Sequence, residues 1–191
     1  MPDQLEDSLG PEGGTLDGQT VALGLASAVL FALGLLVSES IGELALDVDL
    51  KPFFLSYLLI TIPRFGTPTL TIGLGAAVGE GVLDVVEGYE LDDPIGFLGY
   101  VFGFIAFGWY LSEVAEDPGS PRSLTVAAVL GAFVQAVFEG FAFLVFESGT
   151  TPGDAALSVL GNTVTHGVLL GAIPVVVLLP SLRARVDTRL L

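Results

Sequence analysis

The sequence predicts an all-α fold, a polytopic membrane protein built as a six-transmembrane-helix bundle. Three observations carry this reading. Mean hydropathy is +0.78; hydrophobic residues make up 52% of the 191 and charged ones only 15%; and six apolar runs are parted by short polar connectors. The runs lie at residues 21–38, 52–65, 69–86, 95–112, 124–146 and 155–180.

Run one carries no charge and contains Ala22-Leu-Gly-Leu-Ala26, followed by Ala28 and Ala32. Small side chains let helix backbones approach closely, so this face serves either neighbours inside the bundle or a separate membrane partner. Run two is short. About 14 residues at about 1.5 Å each reach about 21 Å, against a hydrocarbon core of about 30 Å, which predicts a short or partly inserted helix.

Run three holds Gly73-Leu-Gly-Ala-Ala-Val-Gly-Glu-Gly-Val-Leu-Asp84, with Glu80 and Asp84 one helical turn apart. An ionisable side chain near a bilayer centre costs about 2.5 to 3.5 kcal/mol, so carboxylates kept there are paired or used. With Glu87 they share one helix face, continuous with Gly73 and Ala76. Run four carries Gly96, Gly99 and Gly103, again a small packing face. Run five places Gly131, Gln135 and Glu139 at successive i+4 positions, and run six places Asn162 and His166 one turn apart.

The connectors carry breaking signals at Pro63 with Gly66-Thr-Pro68, Asp92-Asp-Pro94, Asp117-Pro-Gly-Ser-Pro121 and Gly149-Thr-Thr-Pro-Gly153. No long linker divides the chain and no internal repeat stands out. Three parts follow: an acidic, disordered tail at 1–20, one membrane domain at 21–182 and a short C-terminal tail at 183–191. The first 20 residues lack the basic region and cleavage pattern of a signal peptide, so run one is expected to remain as a membrane helix.

Arg64, Arg122, Arg183, Arg185 and Arg189 all follow even-numbered runs, with Lys51 the lone exception. By the positive-inside rule those ends are cytoplasmic, which puts both termini inside a cell membrane. Loops 39–51, 87–94 and 147–154 then face out. In that frame Glu80, Glu139, Asn162 and His166 reach similar depth in the outer half. If their helices face one another, they enclose an outward-opening polar pocket. Asp84 and Glu87 either join it or reach the outer interface as helix-end residues. Asn162 and His166 either bind a ligand or bridge helices by hydrogen bonds.

Phe53, Phe54, Tyr57, Tyr89, Phe97 and Tyr100 collect at outer levels, and Trp109 and Tyr110 near the inner interface. A belt at the two interfaces accounts for them, with Tyr57, Phe97 and Tyr100 open to stacking on a ligand ring.

Composition excludes several classes. The net charge is −16 with 22 acidic residues and a single lysine, which repels nucleic acid and anionic headgroups and suits a halophilic source. There are no cysteines, so disulfides, thiolate metal sites and thiol nucleophiles are absent. The one lysine opens no G-x-x-x-x-G-K-[ST] loop, so the chain carries no phosphate loop for ATP.

Over residues 20–182 the chain resembles the substrate-binding S component of energy-coupling factor (ECF) transporters. The matching parts are Ala22-Leu-Gly-Leu-Ala26, Gly79-Glu-Gly-Val-Leu-Asp84, Asp93-Pro-Ile-Gly-Phe-Leu-Gly99 and Gly161-Asn-Thr-Val-Thr-His166 through Pro174 and Pro180. The resemblance implies six helices around an outward-facing pocket capped by the loop after helix one. It also implies capture of a vitamin or related micronutrient, no cofactor, and partnership with a coupling membrane protein that meets Ala22 and Ala26 and with two ATPase subunits. No N-terminal metal-binding His is present, unlike the nickel and cobalt branch.

The expected substrate site is therefore Glu80, Asp84, Gln135, Glu139, Asn162, His166, Tyr57 and Tyr100. Its acidity favours a cationic or amine-bearing ligand, a thiamine-like or purine-like ring being an example. An intramembrane enzyme and an ion-coupled carrier or channel are the alternatives, since buried carboxylates also activate water or relay protons. No His-Glu-x-x-His or serine–histidine arrangement accompanies them, and an enzyme is not expected.

Overall fold

Apolar residues set the helices, and short polar breakers end them. The computed structural model describes residues 17–39, 48–62 and 65–190. Residues 1–16 of the tail predicted at 1–20 and most of loop 39–51 lie outside the described residues, as does Arg64.

Helix α1 spans Gly18–Glu39. It starts where the Asp17 carboxylate accepts a hydrogen bond from the Thr20 N–H at 2.6 Å, an N-cap that run one on its own did not show. Helix α2 is Phe54–Ile60. At seven residues it measures about 10 Å, so among the described residues five helices rather than six have the length and hydropathy to cross a membrane. The reading of run two as a short helix holds, and the reason is burial: Ser56, Tyr57, Leu58 and Ile60 all face the interior.

Helix α3, Thr67–Glu87, opens with Pro68 in its first turn and stops at Gly88, whose φ of 128° is one that L side chains rarely adopt. Helix α4, Asp93–Trp109, runs into a π-helical turn at Tyr110–Val114. Helix α5, Pro121–Phe146, is capped by Ser120. Helix α6, Pro152–Asn162, begins with a capping box in which Thr151 and Asp154 satisfy each other's backbone N–H groups.

It continues through a ten-residue π-helical stretch, Thr163–Ala172, into helix α7, Ile173–Leu190. Residues 183–190 of the expected C-terminal tail are helical, because Arg, Leu and Val propagate a helix and no breaker follows Pro180.

The bundle packs α1 on α3, α3 on α4, α4 on α5, and α5 on α6 and the π-helical stretch, while α2 touches α1, α3, α4 and α7 from within. Helices α1 and α3 meet backbone to backbone. A Cβ on Gly75 or Gly79 would collide with the carbonyl oxygens of Gly24 and Ala28 respectively. The outward surface is apolar, with Leu25, Leu33, Val82, Val137 and Phe141 exposed. Apolar residues turned outward on helices of this length make the chain a membrane-embedded, multi-pass protein.

Helix α2 is tied in at both sides. Ser56 Oγ lies 3.1 Å from Ser27 Oγ on α1, and the Tyr57 hydroxyl donates to the Ala128 carbonyl of α5 at 3.1 Å. Around it Phe31, Phe53, Tyr57, Tyr100, Phe104 and Phe107 form a buried aromatic core. The belt expected for Phe53, Tyr57 and Tyr100 is therefore corrected, since all three are at most 1% exposed. Trp109, 45% exposed, is free to meet lipid.

Candidate functional site

Three helices and the segment before α2 converge on one charge. The Lys51 ammonium lies 2.8 Å from Glu139 Oε1 on α5, 3.0 Å from Asp49 Oδ2 and 3.2 Å from Glu80 Oε1 on α3. It also stands 5.4 Å from the centre of the Tyr100 ring. Proline 52 follows immediately, fixing the chain as it enters α2 and aiming the lysine stem into the bundle.

Hydrogen bonds hold the carboxylates in place. The Tyr100 hydroxyl of α4 donates to Glu80 Oε1 at 2.8 Å and lies 3.4 Å from Glu139 Oε1. The Asn162 amide donates to Glu139 Oε2 and to Ser158 Oγ, each at 3.4 Å, while its carbonyl oxygen accepts from the Asp49 N–H at 2.9 Å. Asn162 is fully buried, so one side chain orients both Glu139 and the Lys51 segment. Charge-assisted bonds of this kind are what make ionised groups tolerable away from water.

Two of these groups, Asp49 and Lys51, lie outside the long helices. Lys51 beside it pulls the Asp49 carboxyl below its ordinary value. Burial works against the Lys51 ammonium, yet Asp49, Glu139 and Glu80 together hold it well above the ordinary lysine value.

Above the cluster opens a cavity of about 410 Å³. Its wall carries eight carboxylates, Asp49, Glu80, Asp84, Glu90, Asp92, Asp93, Glu139 and Glu147, against the single ammonium of Lys51. Phe97, Phe143 and Phe146 supply aromatic surface, and the buried Tyr100 ring backs the wall. Glu80 Oε2 is buried and, among the described residues, has no hydrogen-bond partner.

The predicted residues divide into two levels. Glu80, Asp84, Glu139 and Tyr100 line the cavity. Asn162 lies behind Glu139. His166 and Gln135 sit deeper, with His166 Nδ1 3.3 Å from Gln135 Oε1 and the imidazole stacked on Phe53 at 4.8 Å. Both are fully buried, and neither lines the cavity. Tyr57 is farther still from the role expected of it, stacked on Phe107 at 4.0 Å. These four positions support the site from below, because the segment carrying Lys51 and Phe53 fills the space between them and the opening.

Lys51 is the residue that sequence reasoning missed. Its signal was present: the only lysine of the chain, placed against the charge bias of its loop and next to a proline at the start of a short buried helix. Among the described residues, no three His, Asp or Glu side chains are arranged to hold a metal ion.

Ala22 is exposed and Ala26 half-buried on α1, whereas Gly24 and Ser27 face the bundle. The small residues of run one therefore serve two faces, one against α3 and one turned outward.

No protein-family model, curated protein or solved structure matches the chain.

Proposed function

We propose that the chain is a substrate-capture subunit, similar to the S component of an ECF importer, that binds a cationic or amine-bearing vitamin or related micronutrient. The observation that carries this is the carboxylate-walled cavity, in which Glu80 Oε1 accepts from the Tyr100 hydroxyl while Oε2 has no hydrogen-bond partner among the described residues. A cation entering it gains a charge-assisted bond to Glu80 and an aromatic face for a ring. Asp84, Asp92, Asp93, Glu90 and Glu147 at its mouth raise the local concentration of such a ligand.

The positive-inside rule, applied to the arginines, supports a reading in which this cavity opens on the outer side of a cell membrane and both termini are cytoplasmic. Energy then comes from partners, a coupling membrane protein that docks on the outward face at Ala22 and Ala26 and a pair of ATPases. Mass spectrometry of the small molecules that co-purify with the chain tests the reading. A basic, ring-bearing micronutrient supports it; an anionic ligand at the acidic cavity contradicts it.

An ion-coupled carrier is the second reading, favoured by Lys51 lying within 3.2 Å of two carboxylates on membrane helices. Uptake that follows an ion gradient and needs no ATPase selects that reading over the first.

A further inference from the structure

A second cavity, of about 220 Å³, lies at the opposite, arginine-bearing end, between α2, α3, α4 and α7. Thr61, Thr69, Gly108, Leu111, Ser112 and Arg183 are among its walls. Thr69, one of the lining residues, is only 1% exposed, yet among the described residues its Oγ1 has no hydrogen-bond partner. A buried hydroxyl is seldom left so, and the polar atom it lacks is most simply supplied by a ligand.

Two further features give that ligand a sign. Thr69 belongs to the first turn of the 21-residue helix α3, where Gly66 offers no side-chain cap, so the positive end of the helix adjoins the same cavity. Arg183 adds a full charge and makes no ion pair among the described residues. Asp117, on the adjoining turn, is engaged by the Gly119 N–H at 3.0 Å. In a chain of net charge −16, the arginines that follow even-numbered runs make this the end that attracts an anion.

We propose that this cavity binds a phosphate group, carried by a membrane phospholipid or free in solution, with Arg183 as its counter-charge and the Thr69 hydroxyl as a donor. Gly108 keeps the wall open beside Thr69, since a Cβ there would stand 2.6 Å from Thr69 Cγ2. The site is independent of whatever the acidic cavity captures.

The test uses the full chain in detergent, with phosphatidylglycerol binding followed by native mass spectrometry and inorganic phosphate by calorimetric titration. Arg183→Gln is expected to weaken binding about 10- to 100-fold, and Thr69→Val about 3- to 10-fold. Arg183 is exposed and the Thr69 hydroxyl is unpaired, so both variants should fold, as a thermal melt will show. Retention of phosphatidylglycerol that both variants lose identifies a lipid; a phosphate titration that both variants lose identifies the free anion. Either result supports the site. Binding of neither probe to the unaltered chain, or equal binding by chain and variants, overturns it.

Discussion

The Lys51 ammonium sits 2.8 Å from Glu139 Oε1, joining residues 88 positions apart in the chain. Through this contact the segment before α2 is fastened to α5, and through Glu80 at 3.2 Å it is fastened to α3. The two membrane carboxylates that the sequence shows as isolated charges therefore share a single cation. Neither helix could hold its carboxylate alone at the usual energetic cost of an unpaired charge in a bilayer.

Replacing Lys51 by Met keeps the stem and deletes the charge. Removing one partner from a buried ion pair costs about 3 to 5 kcal/mol, because the remaining charges stay buried without compensation. For a chain of this size that corresponds to a fall in Tm of roughly 6–20 °C, read by thermal unfolding in detergent. Combining Lys51→Met with Glu139→Met should recover part of the loss, since fewer charges are then left unpaired.

Asp49 and Lys51 give the pH dependence its sign. The Asp49 carboxyl is depressed by Lys51, so its contribution is complete above the unfolded value of 3.8 and is lost as pH falls through the lower folded value. Lys51 is raised, so its contribution is complete below the unfolded value of 10.5 and is lost as pH rises through the folded one. The stability gap between the chain and Asp49→Asn is therefore expected to be constant at neutral pH and to shrink below about pH 4. Melting curves of the two proteins across that range check it.

The two faces of α1 should respond differently to bulk. Gly75→Val presses on the Gly24 carbonyl of α1 and is expected to destabilise the bundle by about 1 to 3 kcal/mol, as overpacking does. Ala22→Trp points outward and should leave both the fold and ligand affinity unchanged, while abolishing co-purification of a coupling membrane protein. Thermal melts and pull-downs with the two variants separate these effects.

Hydropathy made the long helices legible, because each long apolar run had no competing solution but to span the bundle. Glu80, Glu139 and Asn162 were legible for the same reason, polar groups being costly where they stand. What periodicity could not show was the path of the chain between α1 and α2. Lys51 and Phe53 come from that segment, and they fill the volume in which His166, Gln135 and Tyr57 were expected to meet a ligand. Nor does a hydropathy pattern distinguish an aromatic belt from an aromatic core: Phe53 lies within 6.0 Å of the rings of Phe31, Tyr57, Tyr100, Phe104 and His166, a cluster only the tertiary fold assembles.

In the acidic cavity, the proposed capture of a cation runs through Glu80. Equilibrium titration of the purified chain and of Glu80→Gln with a cationic vitamin such as thiamine, and with an anionic one such as biotin, tests it most directly. A cationic, ring-bearing ligand is expected to bind the chain, Glu80→Gln to weaken it about 10- to 100-fold, and the anion not to bind. Tight binding of the anion, or an affinity for the cation unchanged by Glu80→Gln, would contradict it.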